Sequence, residues 1–592
     1  MRQGMPEIDE VSGRHLDWQL FRRFVGMVRP YWRQALVSLA LLPLIAVAKL
    51  AQPYLIKLLI DDHIVPGNLN GFAGLSLLFL LALVGESLLL FAQGYLVQAV
   101  GQRLMADLRR QGFRRLLRLP AAFFDRHPSG RLVTRLTSDV ENVGELFGAG
   151  VIATVGDLIT LVFIVGIMVW MSPPLTLVSL AVIPPLLLIL LLFRRNMRSA
   201  MRKVRARLAG LTAFIAERIG GISEVRLFGQ QRRTLDEFEE LQQAYRQSTF
   251  QVIEWDAALY AVVEALGAVA IAAILWKGGG EVVAGVATFG TLVAFIEYVQ
   301  KFFAPLRDLS AKYSVIQASN ASLERIFELL DEKPEPAGSG RLPAGPGEVV
   351  FAGVDFSYDG KTPVLKGIDL RIGGGETVAL VGATGSGKTT LTRLLMLFYR
   401  PTAGRIFLDG VDLSDLAPTE VRRQIGWVSQ EPFLFSGSVR ANLDPADQLD
   451  DDALRQLLDD CRLAEVVQRL GGLDGTLSER GRNLSSGERQ LLCLARALAG
   501  QPRLLILDEA TSRLDSATEH RVTEGMAAAG RGCGVLLIAH RLRTAATAHR
   551  IVVLHRGQVC ESGTHRQLLE QGGLYARLWR LQDLNGEEQA EG

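Results

Sequence analysis

Six apolar blocks dominate the first half of the chain, near residues 35–60, 72–97, 146–170, 174–193, 257–276 and 285–305. Each holds about 20 residues, the length at which a helix crosses a hydrocarbon core of about 30 Å. In lipid the backbone must satisfy its own hydrogen bonds, so these blocks are expected as helices. The mean hydropathy of +0.21 is high for a soluble protein, and the apolar excess is confined to this half. Residues 1–16 are polar and are expected to be disordered. The stretch from Asp17 to Tyr31 alternates aromatics with Arg22, Arg23 and Arg29, as in a helix lying on a membrane surface.

Loop charge sets the orientation. Segment 101–135 carries Arg103, Arg109, Arg110, Arg114, Arg115, Arg118, Arg126, Arg131 and Arg135, and segment 194–226 is equally basic, whereas Asp61 to Asn70 and Met171 to Pro174 hold no Lys or Arg. Both termini and both basic segments are therefore expected in the cytoplasm. The basic segments have few helix breakers and should prolong the membrane helices. Each has a short interruption, at Pro120 to Gly130 and at Arg226 to Gln230, whose aromatics suit docking into another domain. Lys49, Glu86, Asp157, Glu264 and Glu297 lie inside the apolar blocks. Such charges either face a substrate path or pair between helices.

The second half changes character. A Pro- and Gly-rich linker, with the helix that leads into it, covers 321–347, and from Val349 short β-branched runs alternate with helices, the pattern of an α/β domain running to about residue 585. A short tail, 586–592, is expected to be disordered. Gly382, Ala383, Thr384, Gly385, Ser386, Gly387, Lys388 and Thr389 fit the phosphate-loop pattern G-x-x-x-x-G-K-[ST] between an apolar strand-like run and a helix-like run opening at Thr390. Backbone N–H groups of such a loop cradle phosphate oxygens, Lys388 reaches the β/γ-phosphates and the Thr389 hydroxyl ligates Mg²⁺. The run Leu504 to Leu507 ends in Asp508 and Glu509, which places two acids at the carboxyl end of a buried strand. Asp508 suits Mg²⁺ and Glu509 suits the general base that polarises water. Gln430 offers an amide to metal or water, His540 a hydrogen bond to γ-phosphate, and Tyr358 a face for adenine; each is ambiguous alone. The net charge of +2 leaves no electrostatic footprint for nucleic acid. The four cysteines show no metal-ligand spacing and are expected as reduced, packed thiols.

Asn483-Leu484-Ser485-Ser486-Gly487-Glu488-Arg489-Gln490 resembles the signature sequence of ABC ATPases. With the phosphate loop, Gln430, Asp508-Glu509, Ser512 to Asp515 and His540 in family order, the chain resembles an ABC exporter half-transporter of the multidrug and lipid-flippase type. The resemblance implies a six-helix, all-α transmembrane domain (17–320) with long cytoplasmic extensions, followed by an α/β P-loop ABC ATPase domain (348–585). It implies that the tips near 121–126 and 226–232 are coupling helices, that Thr476 to Gly481 is the exporter-type loop before the signature, and that Tyr358 stacks on adenine. It also implies a dimer, in which Thr384, Thr390 and the rest of the phosphate loop hold ATP against Ser485 and Gly487 of a second half-transporter. The substrate would be a small molecule, lipid or peptide, and the location the cytoplasmic membrane. Three departures stand out. Ser486 replaces a glycine and crowds the approach to phosphate, Glu488 replaces a glutamine and adds repulsion, and Arg513 replaces a small residue. Lys388, Glu509 and His540 are intact. That mixture is expected of one partner in a heterodimer; a homodimer tolerating a variant signature, or an ATP-gated sensor or channel, are the alternatives.

Overall fold

The structure, a computed structural model, describes residues 18–336, 338, 340–508, 533–539 and 541–588. The expected disordered N-terminus, 1–16, lies outside these residues, as does most of the expected tail; the final helix, Leu574–Glu588, runs into the start of that tail. The chain divides into two compact units. One contains Met1–Leu117 and Ser129–Glu332, the other Arg118–Pro128 and Lys333–Gly592.

The first unit is helical. Among the described residues five runs are long and apolar enough to cross a membrane: Gln19–Ile64, Phe72–Leu116, Ser129–Met171, Pro173–Gly220 and Gln231–Val283. A further helix, Phe289–Asp331, carries Glu297 and Lys301 in its apolar stretch. At 1.5 Å per residue, helices of this length reach roughly 65–80 Å, about twice what a bilayer core requires. The excess forms the basic extensions. The gap left in the sequence between the last two blocks, 277–284, is almost wholly helical. Gly278 packs closely there, where a Cβ would lie 2.8 Å from Leu292 Cδ1. The turn comes later, at Gly285, where φ is +74°. Thr288 then caps the next helix by accepting the Thr291 N–H at 3.2 Å.

Inside this unit the buried Tyr298 hydroxyl donates to the Leu50 carbonyl at 2.8 Å. Glu86 accepts from Gln52, and Asp157 pairs with Lys312. Lys301 Nζ donates to the Lys49 carbonyl at 3.1 Å. Glu86 and Asp157 are therefore satisfied between helices, which is the cheapest arrangement for an acid in an apolar setting. In the extensions, buried Asp139 accepts from Arg325 Nε and from Ser322 Oγ, both at 2.9 Å.

The described residues of the second unit carry three sheets. Strands β1 (Val349–Phe356), β2 (Leu365–Ile372), β4 (Ala403–Leu408) and β5 (Val411–Asp412) form an antiparallel sheet in the order β2-β1-β4-β5. Strands β3 (Thr377–Val381), β6 (Ile425–Val428), β9 (Leu504–Asp508), β10 (Gly534–Ile538), β11 (Arg550–His555) and β12 (Gln558–Gly563) form the central sheet, in the order β12-β11-β3-β10-β9-β6. All its pairings are parallel except β11 with β12. Strands β9 and β10 are buried throughout, which explains their unbroken apolar runs. Short strands β7 (Gly437–Ser438) and β8 (Thr476–Leu477) pair on their own. Cys461, Cys493 and Cys533 are buried, as packing thiols should be, and Cys560 is exposed. The helix expected to lead into the linker continues to Asp331, and Pro334 follows shortly after it.

Candidate functional site

Strand β3 ends at Val381 and delivers the phosphate loop directly. Two glycines in the loop are left-handed, Gly385 at φ +79° and Gly387 at φ +109°, conformations that side chains resist. Gly382 is constrained by space instead, since a Cβ would meet the Leu554 carbonyl oxygen at 2.2 Å. The helix Lys388–Leu395 follows at once. Lys388 is almost wholly buried, and its ammonium donates to the carbonyls of Gly382 and Ala383 at 2.7 and 3.2 Å. Ser386 Oγ is buried and finds no hydrogen-bond partner among the described residues. A buried hydroxyl without a partner costs about 1–3 kcal/mol. A cation folded back on its own loop and an orphaned hydroxyl are what a phosphate-binding loop shows when its own groups must stand in for an anion.

The register of the central sheet brings Asp508 to the same end of the strands as the phosphate loop. Leu380 lies beside Ile538, and Ile538 lies beside Asp508. Val428 lies beside Leu507, so Gln430 leaves the sheet at this end too. Asp508 is buried; Gln430 and Thr389 are exposed. These three offer a carboxylate, an amide and a hydroxyl, an oxygen donor set that suits a hard cation such as Mg²⁺ when phosphates complete the shell. Among the described residues no cluster of His, Cys, Asp or Glu could hold a metal unaided. Glu509, His540, Arg513 and the rest of Ser512 to Asp515 lie outside the described residues.

Tyr358 is half exposed and stands edge-on to Phe356 and to Tyr399, with ring centroids 4.8 and 5.0 Å away. Its hydroxyl is 3.2 Å from Thr390 Oγ1, which ties the ring to the phosphate-loop helix. Tyr399 in turn donates to Asp125 at 2.6 Å, and Arg393 of the phosphate-loop helix pairs with Asp125 at 3.2 Å. Burial, then the hydrogen bond to Asp125, push the Tyr399 hydroxyl up to about 12. The helix Ala121–Arg126, one of the two interruptions in the basic segments, thus packs with the α/β unit, with Phe123 buried and stacked on His127. The other interruption belongs to the helical unit and leaves Leu227 and Phe228 exposed.

Ser485 caps the helix Ser486–Ala499 in a complete capping box. Its Oγ accepts the Glu488 N–H at 3.2 Å, and its own N–H donates to the Glu488 carboxylate at 2.8 Å. The other Glu488 oxygen accepts from Arg469 at 2.7 Å. Burial disfavours the ionised carboxylate, but the Ser485 and Arg469 hydrogen bonds outweigh it and hold the Glu488 pKa below the usual range. Glu488 is therefore turned onto its own helix and onto a cation, and the bare repulsion expected from the sequence is not what the structure presents. Ser486 is exposed at the first helical position with no positive φ, so the backbone there does not demand glycine. The preceding loop is closed by Asn483, whose side chain accepts from Ser478 and donates to the Thr476 carbonyl at 3.0 Å. Arg469, nineteen residues before Glu488, carried no sequence signal that would have joined it to this site; Tyr399 was equally invisible.

The family described as the ABC transporter transmembrane region matches residues 32–306, and the family described as ABC transporter matches 365–512. An ATP-dependent lipid A-core flippase of Chromobacterium violaceum is 36% identical over 95% of this chain and 97% of its own length. An uncharacterized ABC transporter ATP-binding protein of Bacillus subtilis is 33% identical over 94% of each chain. The solved structure of a bacterial Atm1-family ABC exporter with ATP bound superposes with a TM-score of 0.77 at 26% identity, covering 93% of this chain and 98% of that one.

Proposed function

The chain belongs to the ABC transporter family as an exporter half-transporter, a multi-pass membrane protein that couples ATP hydrolysis to transport, and from that premise we propose that it expels a hydrophobic or amphipathic compound, a lipid or drug before a peptide, across the cytoplasmic membrane. The observation that carries this is the phosphate loop itself, with its orphaned Ser386 hydroxyl and inturned Lys388, in one chain with helices built for lipid. Both termini and the ATPase unit face the cytoplasm, in keeping with the basic segments.

In this mechanism Lys388, Gly385, Gly387 and the loop amides hold the triphosphate, and Tyr358 stacks on adenine. Thr389, Asp508 and Gln430 would hold Mg²⁺, which would neutralise charge on the phosphates. Glu509, directly after β9, polarises the attacking water. His540, two residues after β10, holds that water against the γ-phosphate. Ser485 and Gly487 meet the ATP held by a second chain. ATP favours the closed pair over the open one, and that difference drives the helices from inward- to outward-facing. The helix Ala121–Arg126, anchored through Asp125, carries the movement.

The second chain is a different half-transporter in our reading, because Ser486 and Arg513 depart from the family pattern. The neutralisation of Glu488 by Arg469 favours the homodimer instead, since it removes one of the three departures. Glu509→Gln tests the mechanism: hydrolysis falls to a few per cent or less while ATP still binds, and ATP-driven movement of substrate stops with it. Unchanged turnover would reject Glu509 as the base. Purification of the chain expressed alone tests the pairing. Full turnover by the lone species means a homodimer, whereas activity that appears only with a co-expressed second half-transporter means a heterodimer.

A further inference from the structure

The capping box around Ser485 works equally well with glutamine at its third position. Glutamate at 488 therefore adds only a negative charge. That charge sits in the first turn of Ser486–Ala499, where the helix presents its partial positive end. An incoming phosphate uses the same positive end, so an unneutralised Glu488 would compete with it. The Ser486 and Gly487 amides have no intrahelical acceptor, as in any helix start. The Ser485 hydroxyl accepts from the Glu488 N–H, which leaves its proton free to donate outward. Everything a phosphate would use is thus in place, beside one opposing charge.

Arg469 answers that charge. It ends the helix Ala464–Arg469 and reaches Glu488 at 2.7 Å, while its side chain stays 59% exposed. With the Arg469 cation this exposed, the pair contributes little to folding stability. Its effect falls on the field at the helix start. We propose that Arg469 is a positioning residue for ATP hydrolysis: it cancels the Glu488 carboxylate so that the signature helix keeps its attraction for the phosphate of the ATP held by the second chain. This rests on the nucleotide-sandwich reading above. It makes Arg469 and glutamate at 488 a matched pair, and it makes Arg469 dispensable wherever 488 is glutamine.

The test is a double-mutant cycle on the full-length protein in lipid, with its second half-transporter if it needs one, read as KM for Mg-ATP. Arg469→Ala is expected to raise KM roughly fivefold at low salt, with the penalty shrinking as salt screens the unpaired charge. Arg469→Lys keeps the cation and most of the affinity. Arg469→Ala with Glu488→Gln is expected to return to the KM of Glu488→Gln alone. A packing defect would survive the second substitution and would ignore salt, so a penalty that Glu488→Gln does not relieve overturns the proposal. So does a KM for Arg469→Ala equal to wild type. Ser485→Ala, measured alongside, separates the two levels. If it leaves turnover intact, the sandwich reading fails; if it lowers turnover while 469 and 488 show no coupling, only the role of Arg469 fails.

Discussion

Two helix starts in the α/β unit address the same kind of ligand in opposite ways. The helix Lys388–Leu395 begins with left-handed glycines, a buried cation and a buried hydroxyl without a partner. The helix Ser486–Ala499 begins with a closed capping box, an exposed serine and an acid held by an arginine. The first is incomplete without an anion. The second is closed by its own capping box and offers one hydroxyl proton and two amides. A loop of the first kind binds its ligand within its own chain; a helix start of the second kind closes over a ligand already held elsewhere. The difference accords with the proposed sandwich, in which a second chain supplies the other helix start.

The contrast can be broken at four points. Lys388→Ala should have the largest effect, a loss of about a hundredfold or more in steady-state ATP hydrolysis, because the buried cation that would turn from its loop carbonyls to the developing charge is removed. Appreciable remaining activity would mean that the first helix start is not where ATP is held. Ser485→Ala should cost roughly tenfold in turnover, the worth of one hydrogen bond to a charged group. ATP binding to the same protein, read with a fluorescent nucleotide, should change much less. Equal losses in binding and turnover would erase the distinction between holding and closing. Tyr358→Ala should raise KM about five- to tenfold, since stacking one base on an aromatic ring is worth about 1–3 kcal/mol. Tyr358→Phe keeps the ring and should stay near wild type. Ser486→Gly should change turnover by less than about twofold, with any change upward, because the serine is exposed and its backbone is helical. A large loss would show that the variant signature is tuned for activity.

The parts of the site that were legible in the sequence are those that lie close together along the chain. The strand Thr377–Val381, the glycines and Lys388 form one contiguous motif, and the strand ending at Asp508 is an unbroken apolar run capped by acid. The apolar blocks likewise declared the membrane helices, because lipid imposes both their length and their hydrogen bonding. Contacts made at long sequence separation were not legible. Arg469 meets Glu488, Asp125 meets Arg393 and Tyr399, and Arg422 meets Glu335, each across a fold-dependent gap. Arginines are common in this chain, and nothing in their spacing says which one is turned toward an acid. The same limit applied to the intramembrane acids. Composition placed Glu86 and Asp157 in lipid, but only helix rotation gave them Gln52 and Lys312.

The most direct measurement is flux across sealed, inverted membrane vesicles containing the protein, with fluorescent lipids and amphipathic dyes as cargo and ATP supplied outside. The expected result is uphill accumulation of at least one cargo inside the vesicles, dependent on ATP and abolished by Glu509→Gln. Sustained hydrolysis of ATP by the same vesicles, with no cargo moved in either direction, would contradict the coupling of the α/β unit to the helices.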